Sequence, residues 1–310
     1  MFVTLEAFRL ICQPCICLAC SRANVPASFH DLTPAPDLFT DNALISDAYH
    51  CSVSLPRSVP DHSLKAMDLK TIPATVLITT ANNPPQEVPF LKMTDPVMRM
   101  IAAKAALYFW VAQGIQQIVL ADATGNNLLT EHEWEEIDKS ETSIEQINYK
   151  QASDSVIKHG KGYGEGKLIE YAVNNSALLA RVEYFFKCTG KTYVRNFSDI
   201  AGAIKTRNAQ GLFWKHIGDD GTAMKPWADC RFYYTSKTFA KEHLIPAYLA
   251  SDDNVAFCEN QIYEMLNRNM EVSRCLRPFI MGYSGATGEP YFDSSLGMLD
   301  NNFPCWITKR

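Results

Sequence analysis

Residues 74–121 leave the chain few choices of fold. Residues 74–80 (A-T-V-L-I-T-T) are a short apolar run rich in β-branched side chains, the pattern of a buried strand. Asn82-Asn83-Pro84-Pro85 stops it. Asp95-Pro96 then offers an N-cap and a first-turn proline, predicting a helix through Met100, Ile101, Leu107 and Val111 that ends at Gly114. Residues 117–121 (Q-I-V-L-A) form the next apolar run and lead into Asp122-Ala123-Thr124-Gly125. Strand, helix and strand at this spacing make a β-α-β unit, which implies parallel strands joined by a right-handed crossover.

The alternation continues downstream. A charge-rich stretch at 131–151 holds a small strand at 144–149, and a helix at 165–175 turns Leu168, Ile169, Ala172 and Val173 inward. Strands follow at 184–187 and 193–194, a helix at 199–206, and a strand at 231–235 (R-F-Y-Y-T). Ser236 caps a short helix, and Asp253 precedes another that runs to about residue 267. Met281-Gly282-Tyr283-Ser284-Gly285 begins a late glycine-rich turn. The expectation is an α/β domain over residues 72–310.

Residues 1–71 read differently. Pro26, Pro34, Pro36, Pro56 and Pro60 punctuate a segment without sustained period, so a poorly structured extension is expected. Cys12, Cys15, Cys17 and Cys20 contain two C-x-x-C spacings, but no second pair follows at finger-like distance, and an apolar tail is the better reading than a metal site. No run reaches transmembrane length, and Glu6 beside Arg9 makes a poor secretory signal. The expected location is cytoplasmic. The 310 residues are 47% hydrophobic and 20% charged, with a net charge of -5; that balance argues against nucleic acid as a main partner.

Candidate chemistry gathers between His159 and Val194. Gly160, Gly162, Gly164 and Gly166 alternate with Lys161, Tyr163 and Glu165 before the amphipathic run, which reads as a turn that brings backbone N–H groups to an anion. It is not a Walker A loop, since Lys161 stands where Gly is needed and Leu168 where Ser or Thr is needed, and no frame gives G-x-G-x-x-G. Asp122, Thr124 and Gly125 follow one strand, and Lys187, Thr189 and Lys191 end another. All three sets fall at the carboxyl ends of strands, where α/β sheets bind ligands; Asp122 could equally cap its own loop. Glu259 falls in the stripe Val255, Cys258, Ile262, Met265 and Leu266. A carboxylate there is paired (Arg231 being a candidate), protonated, or lining a cleft as a general base. Asp229 and Arg231 share one strand face and either bind substrate or brace the sheet. No Ser-His-Asp set, G-x-S-x-G elbow or cysteine-nucleophile signature is present.

G-K-G-Y-G-E-G-K-L-I-E-Y-A at 160–172, Y-F-F-K-C-T-G-K at 184–191, D-C-R at 229–231, Glu259 and V-L-A-D-A-T-G at 119–125 together resemble a group of glycosyltransferase-like proteins of bacterial surface-polysaccharide loci. The resemblance spans about residues 74–291. It implies the GT-A type, a Rossmann-like three-layer domain with a mostly parallel, mixed sheet. It further implies a nucleotide-sugar donor and a glycan or lipid-linked acceptor, with peripheral membrane association as an option. Lys161, Lys187 or Lys191 would balance the leaving diphosphate, with Asp122, Thr124, Tyr163, Glu165, Thr189 and Arg231 as further substrate contacts. Glu259 or Asp229 would deprotonate the acceptor. GT-A enzymes usually hold Mn²⁺ or Mg²⁺ with D-x-D, which this chain lacks. Either an atypical set including Asp122 holds the ion or lysines replace it, and the second is favoured. A nucleotidyl- or phosphotransferase and a non-catalytic nucleotide- or glycan-binding module are the alternatives.

Overall fold

In the computed structural model, residues 72–207, 209–216, 227–291 and 302–308 are described. The expected N-terminal extension, its four clustered cysteines and the Asp219-Asp220 pair lie outside the described residues. Strand β1 (Ile72–Thr80), helix α1 (Pro96–Ala112) and strand β2 (Ile115–Asp122) form the β-α-β unit, with β1 and β2 parallel and paired from Thr75↔Gln117 to Thr80↔Asp122. Its boundaries follow the signals in the sequence. The Asp95 carboxylate accepts from the N–H groups of Val97 and Met98, and Gly114 turns the chain at φ 72°, a conformation that suits glycine.

The chain continues through α2 (Glu131–Ile137), β3 (Ser143–Asn148), α3 (Ser153–His159), α4 (Lys161–Asn175), α5 (Ala177–Ala180), β4 (Tyr184–Thr189) and β5 (Thr192–Val194). Next come α6 (Phe197–Arg207), β6 (Leu212–His216), β7 (Trp227–Ser236) and α7 (Lys237–Phe239), which Ser236 caps as expected. A π-helical turn (Ala240–Leu244) joins α7 to α8 (Ile245–Leu249). The rest comprises α9 (Cys258–Asn269), β8 (Glu271–Cys275), β9 (Ile280–Tyr283), β10 (Pro290–Tyr291) and β11 (Phe303–Ile307).

The main sheet has eight strands in the order β3-β2-β1-β4-β7-β6-β11-β8. The first four are parallel, and from β7 onward each strand runs antiparallel to its neighbour. Side chains alternate across the sheet, so successive residues feed two cores. Val76 and Ile78 pack with Leu107, Trp110, Phe197 and Ile200 from α1 and α6. Leu77 packs with Leu168, Ile169, Tyr248, Ile262 and Leu266 from α4, α8 and α9 on the other face. The result is a three-layer α/β sandwich whose parallel half has Rossmann-like order. A separate three-stranded sheet, β10-β9-β5, is antiparallel.

Two expectations need correction. The glycine stretch is not a turn: α4 begins at Lys161, so Gly162, Gly164 and Gly166 are helical, and only Gly160, at φ 91°, breaks the chain between α3 and α4. The glycines serve packing. A Cβ at Gly162 would lie 2.7 Å from Cys258 Cβ, and one at Gly166 would lie 2.4 Å from Tyr248 Cβ. Helix α4 therefore sits closer to α8 and α9 than side chains would permit. Asp253 does not start the late helix either. That helix begins at Cys258, with Val255 85% exposed ahead of it. The Asp253 carboxylate instead accepts from the Lys161 N–H at 2.9 Å, capping α4 across a gap of more than ninety residues.

Candidate functional site

In the order 3-2-1-4 the chain reverses direction across the sheet beside β1, and the carboxyl ends of β1 and β4 flank the resulting crevice. A cleft opens there. Its lining includes Thr79 and Thr80 from β1, Thr189 from β4, Gly162 and Glu165 from α4, and Glu259 from α9. Arg99, Lys161, Lys191 and Arg231 also line it.

The sharp link between β4 and β5 puts Lys191 in the cleft. Gly190 donates its N–H to the Thr79 carbonyl at 2.8 Å, and a Cβ on Gly190 would lie 2.2 Å from Thr80 Cγ2. No other residue passes that close over the end of β1. The Lys191 side chain that follows is 6% exposed. Among the described residues its ammonium has neither hydrogen bond nor ion pair. Burial, reinforced by nearby Arg99, pushes its pKa down to about 7.

Arg99 was not expected from sequence. It stands in the first turn of α1, 4% exposed, donating from Nε to the Ala81 carbonyl at 2.6 Å and from Nη1 to the Met93 carbonyl at 2.7 Å. No carboxylate lies within ion-pair distance of it among the described residues. Burial lowers its pKa to about 10, with Asp122 partly opposing.

The carboxylates nearby divide by what they already hold. Asp122 is fully buried at the end of β2 and takes hydrogen bonds from the Thr80 and Thr124 hydroxyls and from the N–H groups of Asn82, Thr124 and Asn126. It ties two loops together, which is the loop-capping alternative, and Thr124 belongs to that brace. Glu165 Oε1 accepts from Lys187 and from Thr79, each at 2.7 Å. Lys187 is wholly buried and also donates to Thr189 Oγ1 and to the Cys230 carbonyl, so it supports the cleft from beneath. Asp229 pairs bidentately with Arg231, at 2.9 Å to Nε and 2.6 Å to Nη2. Arg231 then stacks over Tyr291 at 4.6 Å and reaches the cleft. Asp229 thus positions Arg231.

Glu259 stands apart. Its only hydrogen bond among the described residues comes from the Cys258 thiol, at 3.2 Å, and Arg231 is not its partner. Of the three readings open from sequence, it lines the cleft. Lys161 also faces the cleft, its ammonium 5.5 Å from the centre of the Phe257 ring. Tyr163 packs its ring against His159, centroids 4.9 Å apart and tilted by 36°, and lies outside the lining. The Cys230 thiol is pushed up by burial, and Cys258 by contact with Cys230 and burial, which makes both poor nucleophiles.

Fold and site together define an α/β protein with a mixed sheet, a Rossmann-like parallel half, and a basic cleft at the switch point. No family model and no curated protein matches the chain. Among the described residues no helix is long and apolar enough to cross a membrane.

Proposed function

We propose that the protein is a glycosyltransferase of GT-A type, moving a sugar from a nucleotide-sugar donor to a hydroxyl of a glycan or glycolipid. One observation carries the reading: a single cleft at the sheet's switch point joins several cations to one carboxylate, Glu259, that no other charged group among the described residues holds. A nucleotide sugar needs its diphosphate neutralised, and an acceptor hydroxyl needs a base. Glu259 takes the proton from that hydroxyl. The acceptor oxygen bonds to the anomeric carbon as the bond from that carbon to the diphosphate oxygen breaks. The nucleoside diphosphate leaves with its new charge balanced by Lys161, Lys191, Arg99 and Arg231.

The Mn²⁺ or Mg²⁺ ion usual for this class does not fit the residues present. Asp122 already takes five protein donors, Glu165 is held by Lys187, and Asp229 by Arg231. Among the described residues no group of three His, Cys, Asp or Glu side chains could hold an ion. No step above depends on one.

The test is a panel of UDP-, GDP- and CMP-linked sugars, read by thermal shift and by donor consumption with glycan or lipid-linked acceptors. At least one donor is expected to raise the melting temperature and turn over. If none shifts the transition, the reading fails. Turnover of a free nucleoside triphosphate would indicate a nucleotidyl- or phosphotransferase, and saturable binding without consumption a binding module.

A further inference from the structure

We propose that Arg99 and Lys191 form the phosphate subsite of this cleft, holding the diphosphate of its ligand by direct charge rather than through a bridging divalent cation. The inference rests on reading the cleft as a nucleotide-sugar site, and it assigns Arg99 a role that no sequence motif suggested.

Geometry brings the two cations to one point. A Cβ on Gly285 would lie 3.2 Å from Lys191 Nζ and 3.7 Å from Arg99 Nη1. Both heads therefore reach the same small space, and Gly285 keeps it open. Two of the five guanidinium N–H groups of Arg99 are spent on Ala81 and Met93, while Lys191 spends none of its three among the described residues. The Lys191 ammonium and the Nη1 side of the Arg99 guanidinium thus face one space, and no acceptor for the Lys191 ammonium stands there among the described residues.

Such an arrangement is costly without a ligand. Two like charges lie buried together, and burial depresses both pKa values. The charged groups acting on Lys191 are Arg99 from α1, Lys187 and Glu165 from β4 and α4, and Asp122 from β2. Both carboxylates are already bound, to Lys187 in one case and to a ring of hydroxyl and N–H donors in the other. Neither can neutralise the pair by moving. A phosphate oxygen placed between the two heads would satisfy them, and bidentate, charge-assisted bonds of this kind are the strong ones. A divalent cation would meet two positive heads, with Asp122 and Glu165 already committed and Glu259 the one lining carboxylate left uncommitted among the described residues.

The test is calorimetric titration of the full chain with inorganic pyrophosphate in excess EDTA, then in MgCl₂. Saturable binding in EDTA is expected. Lys191→Met should weaken it at least about 10-fold, the equivalent of one lost charge-assisted bond. Arg99→Ala is a poor probe, because its guanidinium also holds two loop carbonyls. Gly285→Val is the second variant, filling the space without altering any charge, and it should abolish binding while leaving the circular dichroism unchanged. Binding that appears only with Mg²⁺, or that Lys191→Met leaves intact, would overturn the proposal. If pyrophosphate binds in EDTA but no nucleotide sugar competes with it, the subsite stands and the glycosyltransferase reading falls. If a nucleotide sugar turns over only with a divalent ion, that reading stands and the subsite falls.

Discussion

Replacing Lys191 by Met should make the ligand-free protein more stable, and more so in acid than in alkali. In the unfolded chain the amine titrates near its ordinary value of 10.5, and in the fold near about 7. Below pH 7 both states are protonated, and the fold bears the full cost of a buried ammonium. At about 1.4 kcal/mol per pH unit, that gap bounds the cost at about 4–5 kcal/mol. As the pH rises above 7 the folded amine loses its proton while the unfolded one keeps it. The unfolded state then binds more protons, so stability rises with pH. At pH 9 about 2 kcal/mol of the penalty is left. Met keeps the length and apolar stem of Lys without the charge, and swaps that conserve volume disturb packing little. The advantage of Lys191→Met should therefore shrink by about 2–3 kcal/mol between pH 6 and pH 9. Urea denaturation at four pH values measures it, in buffers free of phosphate and sulfate because a bound anion would stabilise the wild type by mass action. An advantage that does not change with pH, or a variant less stable than wild type at pH 6, would refute the account of a buried, uncompensated amine.

Other perturbations separate support from chemistry. Glu259→Gln should cut transfer by about 10²–10⁴-fold while leaving the donor-induced thermal shift unchanged; a variant within tenfold of wild type would remove Glu259 as the base. Gly166→Ala gains about 1 kcal/mol of helix propensity. It nonetheless puts a Cβ 2.4 Å from Tyr248 Cβ, so a net loss of about 1–3 kcal/mol in urea is expected. A stabilised Gly166→Ala protein would show that α4 and α8 are not in tight contact. Lys187→Met alone strands Glu165 and should cost about 3–5 kcal/mol, most of it recovered in the double variant with Glu165→Gln. Additive losses in that cycle would show that the two side chains do not act as a pair.

The centre of the parallel half was legible because β1 and β2 are buried on both faces and the caps between them are explicit. Residues 76–78 and 118–120 are continuous apolar runs, and Asp95, Pro96 and Gly114 mark the helix between them. Of the antiparallel half, only β7 was foreseen, at 231–235. Strand β8 leaves Glu271, Val272 and Arg274 exposed, β6 is five residues long, and β11 makes sense only once it pairs with both. Such strands draw their stability from neighbours rather than from their own pattern. The glycine stretch misled for a different reason. Glycine is a poor helix former in isolation, and only the nearness of Cys258 and Tyr248 explains why a helix needs it here. Arg99 could have been found by the logic that singled out Glu259. It occupies the same helix stripe as Ala102, Ala103, Ala106 and Trp110, and a charge in an apolar stripe requires a reason.

The charge pattern of the cleft follows one rule. Asp122, Glu165 and Asp229, which a metal-binding enzyme would turn toward its ion, are each bound by groups of the protein, and two of them hold a cation in place. The cations divide the other way. Lys187 is spent within the fold, and Arg231 is anchored but still faces the cleft. Arg99 and Lys191 face it with no carboxylate in ion-pair range among the described residues. Among the described residues the positive charge directed at the ligand therefore exceeds what the surrounding side chains neutralise, and Glu259 is the lining carboxylate that none of their Lys or Arg side chains pairs with. A neutral ligand would leave the buried cations as costly as before, and a cation would add to them. Only an anionic ligand with an ionisable neighbour resolves both, which is why the dependence of affinity on ligand phosphate charge should be steeper than on sugar or base identity.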